Sequence, residues 1–239
     1  MTASPPCRPV ATIGLHGSAS TWVFNVVREL LITALGEGGM LAAYADRVEQ
    51  VPAGEAGRQL LLKSHAGSAE FDDWLEASAS LVFLSIRDPR DAAISMTQRF
   101  RAPLGHTAEW LAADCAHLLR LAGRGHLLLR YEDGFYANSE VPGRLAHALG
   151  LEVDPPVLAA IFGRYATEAV RTFANNLASL PPERLTSFSG TTMDILTQIH
   201  RTHIGDGRSG KWRDLPPPAR AELTRRFRRF LDRFRYPAD

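Results

Sequence analysis

The stretch Val10-Ala11-Thr12-Ile13-Gly14-Leu15-His16-Gly17-Ser18-Ala19-Ser20-Thr21-Trp22 decides the fold of this chain. Its apolar run, from Val10 to Leu15, has the length of a buried β-strand. Small and polar residues follow from Gly17 to Thr21, and apolar residues then recur at helical spacing. Those apolar positions are Trp22, Val23, Val26, Val27, Leu30, Leu31 and Leu35. The pattern predicts a strand, a tight loop and a helix, in that order.

Such a loop is suited to binding an anion. Backbone N–H groups at the start of a helix, together with the helix dipole, attract negative charge. Gly17 and Ala19 would let a phosphate approach the backbone, and the hydroxyls of Ser18, Ser20 and Thr21 would add donors. The loop is not a Walker A motif, because that motif needs a lysine and none is near. The alternative is an ordinary turn capped by Ser20.

Length and composition are those of one globular domain. The chain has 239 residues, of which 45% are hydrophobic and 22% charged, and we expect residues 10–239 to form a single domain. The first nine residues, 1–9, lack the apolar segment of a signal peptide and are expected to be a loose tail. The only cysteines are Cys7 and Cys115, which fits a reducing, cytoplasmic setting.

The charge of the chain is nearly balanced but unevenly distributed. The formal net charge is +1, which argues against a protein dominated by nucleic-acid or membrane binding. No apolar run reaches the ~18 residues of a membrane span. Residues 201–239 carry 11 basic and 5 acidic side chains, and the chain's only lysines are Lys63 and Lys211.

Further strands are predicted at 59–65, 81–86 and 126–130, with helices beginning at Pro89, Thr107, Val141 and Pro155. Strands that alternate with helices indicate an α/β fold with a P-loop-like parallel sheet, flanked by helices on both faces. The segment 36–58 is predicted to be irregular.

Polar side chains follow three of the predicted strands. They are His16 with the serines of the first loop, the run Lys63-Ser64-His65, and Arg87. The carboxyl ends of parallel strands share one edge of the sheet, where ligands bind in such folds. We therefore expect these side chains to meet in one anion site.

The last third of the chain is less regular. Residues 172–210 are predicted to contain loops and short helices that form a lid or acceptor-binding region. Residues 216–236 are predicted to form an amphipathic helix. Its buried stripe is Leu223, Phe227, Phe230, Leu231 and Phe234.

Taken together, five segments resemble the sulfotransferase family, which transfers a sulfuryl group from 3′-phosphoadenosine 5′-phosphosulfate (PAPS). The segment 16–22 is similar to the family's 5′-phosphosulfate loop P-K-S-G-T-T-W, and 63–65 to K-T-H. Residues 87–95 are close to the 3′-phosphate motif R-N-P-[RK]-D-x-x-x-S. Tyr131-Glu132-Asp133 resembles Y-E-D, and 208–212 resembles the R-K-G…G-x-W region. The resemblance covers about residues 10–212.

The resemblance implies a role for each matched residue. His65 would be the general base, and Lys63 would lie beside the transferring sulfuryl group. Trp22 would stack on the adenine, and Tyr131 would lie near it. The other implied donor-binding residues are His16, Gly17, Ser18, Ala19, Ser20, Thr21, Arg87, Ser95, Arg208, Ser209 and Gly210. No metal is implied, and the acceptor would be a small molecule with a hydroxyl or amine.

The sequence departs from the family pattern at Gly17, where the family has a lysine or arginine. That cation normally neutralises the bridging oxygen of the leaving group. His16, Lys63 or Lys211 are candidate substitutes, of which Lys63 is favoured because it lies in a matched motif. The last motif aligns in two ways, with Arg208-Ser209-Gly210 matching R-K-G or Gly210-Lys211-Trp212 matching G-x-W.

Three alternatives stay open on the sequence alone. A nucleotide-binding protein with weak or lost catalysis is compatible with Gly17. A P-loop-type kinase would need a Walker lysine and a Mg²⁺-binding hydroxyl after it, and neither is present. Anion or nucleic-acid binding by the arginine-rich last helix is weaker, because that helix also has an apolar stripe.

Overall fold

The fold is built on one parallel sheet. The computed structural model describes residues 8–53, 57–188 and 190–238, so most of the predicted tail lies outside it. The strands lie in the order β2-β3-β1-β4-β5, and every neighbouring pair is parallel. They are β1 (Val10–Gly14), β2 (Met40–Tyr44), β3 (Gln59–Ser64), β4 (Leu81–Ile86) and β5 (Leu127–Arg130).

Eight α-helices occur in the described part of the chain, and none of them has both the length and the apolar composition needed to cross a membrane. They are α1 (Ser20–Leu35), α2 (Ala69–Ser78), α3 (Pro89–Phe100), α4 (Leu104–Leu121), α5 (Val141–Ala148), α6 (Pro155–Arg164), α7 (Thr167–Asn175) and α8 (Pro217–Arg233).

Helices cover both faces of the sheet, as the sequence predicted. Alternate residues of a strand point to opposite faces. Leu61 and Phe83 pack under α1, α5, α6 and α7, whereas Leu62, Leu84 and Ile86 pack under α2, α3, α4 and α8. Because both faces of the sheet are buried, the strand sequences are continuous apolar runs and do not alternate between apolar and polar residues.

Two elements lie where the sequence predicted irregular structure. β2 is an edge strand paired only with β3, and its centre, Ala42-Ala43, has low strand propensity. The segment 172–210 contains an antiparallel hairpin of β6 (Leu185–Phe188) and β7 (Thr191–Asp194). Strands of four residues are too short to give a periodic signal.

The C-terminal segment is attached to the sheet through a buried arginine. Arg90 is fully buried and forms two hydrogen bonds with the Asp88 carboxylate, at 3.0 and 2.7 Å. It also donates to Thr224 Oγ1 on α8 and to the carbonyl of Pro237, at 3.1 and 2.6 Å. Its guanidinium carbon lies 3.5 Å from the centre of the Trp212 ring system. Arg90 therefore joins α3, α8 and the chain end.

Replacing Arg90 with methionine is expected to destabilise the fold by about 3–5 kcal/mol, because the change leaves the buried Asp88 carboxylate without its cation. Denaturant unfolding would measure the effect. Arg225→Met is the control, since Arg225 is 75% exposed on α8 and pairs only with Glu222; we expect a change below about 1 kcal/mol. Similar losses for both variants would contradict the structural role of Arg90.

Candidate functional site

A cavity of about 1700 Å³ opens at the carboxyl edge of the sheet. β3 and β4 lie on either side of β1, so their backbones are about 10 Å apart, or two strand spacings. The residues after all three strands line this cavity, as predicted. It brings together most of the predicted site residues, namely His16, Gly17, Ala19, Ser20, Thr21, Trp22, Lys63, His65, Arg87, Ser95, Tyr131 and Arg208.

The loop after β1 presents backbone rather than capping side chains to the cavity. Ala19 is the N-cap of α1 and has a left-handed backbone (φ 61°), with no side-chain capping bond, so the alternative of a turn capped by Ser20 is not supported. A Cβ at Gly14 would lie 2.2 Å from Ser85 Oγ, so this close packing needs glycine. The first N–H groups of a helix have no partner within the helix, and Ala19, Ser20 and Thr21 line the cavity there.

Ser18 is not brought to the cavity. Its hydroxyl is fully buried and lies 2.7 Å from the carbonyl of Leu15 and 3.0 Å from Ser85 Oγ. The side chain thus ties the loop to β4 instead of facing a ligand. The predicted contribution of the Ser18 hydroxyl to anion binding is therefore not supported by its position.

Lys63 reaches the cavity from β3. Its Nζ donates to Thr21 Oγ1 at 2.7 Å, and the side chain is buried. Burial lowers the pKa of Lys63 to about 7, and the charge of Arg99 adds to the effect. Because no carboxylate pairs with Lys63 among the described residues, an anion in the cavity would restore its full positive charge.

His65 follows β3 with one ring nitrogen already engaged. Its Nδ1 makes a short hydrogen bond to the carbonyl oxygen of Gly14. A carbonyl only accepts, so Nδ1 carries the proton and Nε2 keeps its lone pair. Burial holds the pKa of His65 well below its usual value, and the charges of His16 and Lys63 act in the same direction. The imidazole is therefore neutral, with a free basic nitrogen.

Asp46 holds the segment that carries His65. Its Oδ1 accepts hydrogen bonds from Ser64 Oγ and from the backbone N–H groups of His65 and Ala66, the latter two at 3.0 and 3.1 Å. Its Oδ2 accepts from the Tyr44 hydroxyl at 2.8 Å. Burial opposes ionisation, but these hydrogen bonds outweigh it and lower the pKa of Asp46. A carboxylate thus fixes the backbone on both sides of His65.

His16 stacks on His65, with ring centres 3.7 Å apart. Both its backbone N–H and its Nδ1 bond to Asp114 Oδ2, at 2.8 and 2.7 Å. Burial lowers the pKa of His16 to about 3, so the ring is neutral, and burial raises the pKa of the Asp114 carboxyl. Within the described ranges, His16, His65 and Asp114 are also the one His/Asp group close enough together to hold a metal ion. The prediction that no metal is needed remains a prediction.

Arg87, which follows β4, contacts the loop after β1. Its Nη1 donates to the carbonyl of Gly17 at 3.0 Å, and its Nη2 donates to the carbonyl of Arg208 at 2.9 Å. The guanidinium lies 4.0 Å from the centre of the Tyr131 ring. Its Nε is buried without a partner in the described structure, as is Nε1 of Trp22. Both donors belong to residues that line the cavity.

The 208–212 segment contacts α3 through Lys211. Lys211 is buried, and its Nζ lies 2.8 Å from Ser95 Oγ and 3.0 Å from the Asp206 carboxylate. The Arg208 side chain, by contrast, is 58% exposed and pairs with Asp214. Lys211 and Arg208 therefore both line the cavity, but Lys211 is the one beside Ser95.

Ser209 and Gly210 do not line the cavity. The backbone N–H groups of Gly210 and Trp212 donate to the two Asp91 oxygens, which holds the turn onto α3. Gly210 has φ of +80°, and this left-handed conformation favours glycine. The structure therefore gives Gly210 a part in shaping the turn.

Sequence reasoning missed Asp46, Asp114 and Arg99. Asp46 lies in the segment predicted to be irregular. Asp114 could have been noticed, because it stands in the apolar stripe of α4 between Leu111 and Leu118 and is fully buried. A carboxylate at a core position needs a buried partner. Arg99 gave no local signal among the chain's many arginines.

The comparisons with known proteins agree on the fold. A mouse sulfotransferase complexed with PAP superposes with a TM-score of 0.64 at 12% identity, covering 95% of this chain and 84% of that one. Retinol dehydratase in complex with androsterone and inactive cofactor PAP superposes with a TM-score of 0.62 at 14% identity, covering 96% of this chain and 82% of that one. Retinol dehydratase in complex with retinol and PAP superposes with a TM-score of 0.60 at 15% identity and covers the same shares of the two chains, 96% and 82%.

No protein-family model and no curated protein matches the chain in sequence. The structural likeness nevertheless extends over nearly the whole chain. The predicted fold class is confirmed: the chain has the sulfotransferase-type fold, a parallel α/β sheet flanked by helices.

Proposed function

We propose that this protein is a PAPS-dependent sulfotransferase that acts on a hydroxyl or amine of a small-molecule acceptor. The observation that carries the proposal is the placement of Lys63 and Arg87 in one cavity, at the carboxyl ends of two strands, β3 and β4, that are separated by β1. A ligand with one anionic group would need only one of these positions. PAPS has two, the 3′-phosphate and the 5′-phosphosulfate.

The residues of the cavity suit the two ends of that donor. Arg87, Ser95 and Lys211 would hold the 3′-phosphate, with the ring of Tyr131 under the Arg87 guanidinium. The N–H groups of 19–21, with Thr21 Oγ1 and Lys63, would hold the 5′-phosphosulfate. Trp22 and Arg87, whose Nε1 and Nε are unpaired in the described structure, line the same cavity.

When bound, PAPS would supply an activated sulfuryl group. His65 Nε2 would accept the acceptor's proton while Gly14 holds the ring through Nδ1. Lys63 and the helix start would stabilise negative charge that develops on the sulfuryl and leaving-group oxygens. Each of these groups is already fixed in the folded chain, which limits reorganisation during transfer.

The acceptor would enter beside the 172–210 region. Met193, Ile195, Leu196 and Ile199 of that region line the cavity, and Ile195 and Leu196 are 46% and 43% exposed. An apolar wall in the cavity that His65 also lines suits a small organic acceptor. The androsterone and retinol bound by the structural neighbours are compounds of this kind.

We place the enzyme in a reducing compartment such as the cytoplasm, since Cys115 is a free thiol.

Isothermal titration calorimetry with adenosine 3′,5′-bisphosphate (PAP) tests the donor site. We expect PAP to bind at least about 10-fold more tightly than 5′-AMP, because charge-assisted hydrogen bonds to a phosphate contribute ~1.5–3 kcal/mol. ATP with Mg²⁺ should bind more weakly than PAP. Tighter binding of ATP with Mg²⁺ would favour a kinase, and PAP binding without turnover would favour a nucleotide-binding protein without catalysis.

A further inference from the structure

The first loop lacks the cation that the resembled motif carries at position 17. Gly17 has φ of +81°, and a Cβ there would meet only Ala92, at 3.8 Å. The space for a side chain exists, but the chain leaves it empty. If the site handles a leaving phosphate, another cation has to neutralise the charge at that point.

Arg99 is placed to supply that cation. It lies in the last turn of α3, four residues after Ser95, and both residues line the cavity. Residues at this spacing share one face of a helix and are about 6 Å apart along its axis. Arg99 donates from Nη2 to the carbonyl of His203 at 3.0 Å. In the described structure, no carboxylate pairs with it.

Lys63 is assigned to the sulfuryl group in the proposed function, and the remaining candidates for the missing charge are already engaged or neutral. Lys211 pairs with Asp206, and Arg208 pairs with Asp214. His16 is neutral because its pKa is about 3. Burial lowers the pKa of Arg99 to about 10, with the charge of Arg87 as a further cause, so Arg99 remains a cation at neutral pH. A partly buried cation that has no carboxylate partner in the described structure can pair with an anionic ligand.

We propose that Arg99 takes the place of the missing loop lysine and contacts the 5′-phosphate of the donor at its bridging oxygen. This inference rests on the proposed function. In the transfer, the acceptor oxygen bonds to sulfur as the bond from sulfur to the bridging oxygen breaks. The electron pair of that bond stays on the 5′-phosphate of PAP, beside Arg99, and the acceptor proton goes to His65 Nε2.

Binding of PAP and of adenosine 3′-monophosphate to Arg99→Met tests the contact without any acceptor. The two ligands differ only in the 5′-phosphate. We expect Arg99→Met to lower the affinity for PAP by about 10- to 100-fold and to change the affinity for the 3′-monophosphate by less than about threefold. Arg99→Lys should recover part of the PAP affinity, because it keeps the charge.

Arg171→Met is the matched control, because Arg171 is an arginine at the rim of the same cavity that pairs with Glu168. It should leave the ratio of the two affinities unchanged. Retained binding of the 3′-monophosphate also shows that Arg99→Met is folded. An unchanged ratio in Arg99→Met, or an equal loss for both ligands, would overturn the assignment. If the wild-type protein binds neither ligand, the proposed function itself fails.

Discussion

Replacing His65 with asparagine is expected to lower the rate of sulfuryl transfer by about 10³-fold and to leave PAP affinity within about twofold of wild type. The asparagine amide can still donate to the Gly14 carbonyl in place of Nδ1, but it has no basic atom in place of Nε2. General base catalysis contributes ~10²–10⁴-fold. The measurement is release of PAP from PAPS with a panel of small hydroxyl and amine acceptors.

The pH dependence of the wild-type rate provides a second readout for His65. Burial holds the pKa of His65 well below its usual value, so the base stays neutral as the pH falls below about 6.5. We expect no loss of rate from protonation of His65 between pH 8 and 6. An exposed histidine would be largely protonated at pH 6.

The control for His65 is His126→Ala, because His126 bonds to Glu76 at 2.7 Å and does not line the cavity. That variant should keep wild-type turnover. Retention of more than about a tenth of the rate in His65→Asn would show that another group accepts the proton. Nε2 of His16, stacked on His65, would then be the next candidate.

Replacing Lys63 with methionine is expected to lower turnover by about 10²- to 10³-fold and, at the same time, to stabilise the fold. Removal of one fixed charge from a site of developing negative charge has costs of this size. The stabilisation has a separate cause. In the folded chain without ligand, Lys63 is a buried amine without a carboxylate partner, and its pKa is lowered to about 7. The folded state therefore opposes its protonation.

The stabilisation should depend on pH in a defined direction. Below pH 7 the folded protein must hold a buried cation, so the full penalty applies, and it is at most about 5 kcal/mol. Between pH 7 and about 10 the unfolded chain binds this proton and the folded chain does not, so the stability of the wild type rises with pH. The advantage of Lys63→Met should therefore be largest at pH 6 and smaller at pH 9.

Denaturant unfolding at pH 6, 7.5 and 9 measures this difference. Thr21→Val is the control, since it removes the hydrogen bond from Lys63 Nζ and leaves the charge in place. Its free energy of unfolding should differ from that of wild type in the opposite direction, because loss of this hydrogen bond destabilises the fold. A difference in free energy of unfolding between Lys63→Met and wild type that stays the same at all three pH values would contradict a lowered pKa for Lys63.

Most of the sheet could be predicted from local sequence. Val10–Gly14 and Leu81–Ile86 are long apolar runs that are buried on both faces, and polar side chains mark where they end. Such signals involve only neighbouring residues. The Ala-rich β2 strand could not be found in this way, because its strand conformation depends on pairing with β3 at the edge of the sheet.

By itself, the sequence determined four strands of the parallel sheet, their alternation with helices and the identity of the polar residues at the ends of β1, β3 and β4. Only the tertiary structure decided how those residues can act. In the folded chain Asp46 accepts a hydrogen bond from the His65 backbone, the Ser18 hydroxyl bonds to the Leu15 carbonyl instead of lining the cavity, and Arg99 lines the cavity. The reason is physical. Helix and strand signals arise within a few residues, whereas a hydrogen-bond partner or a buried charge depends on segments far apart in the chain that meet only on folding.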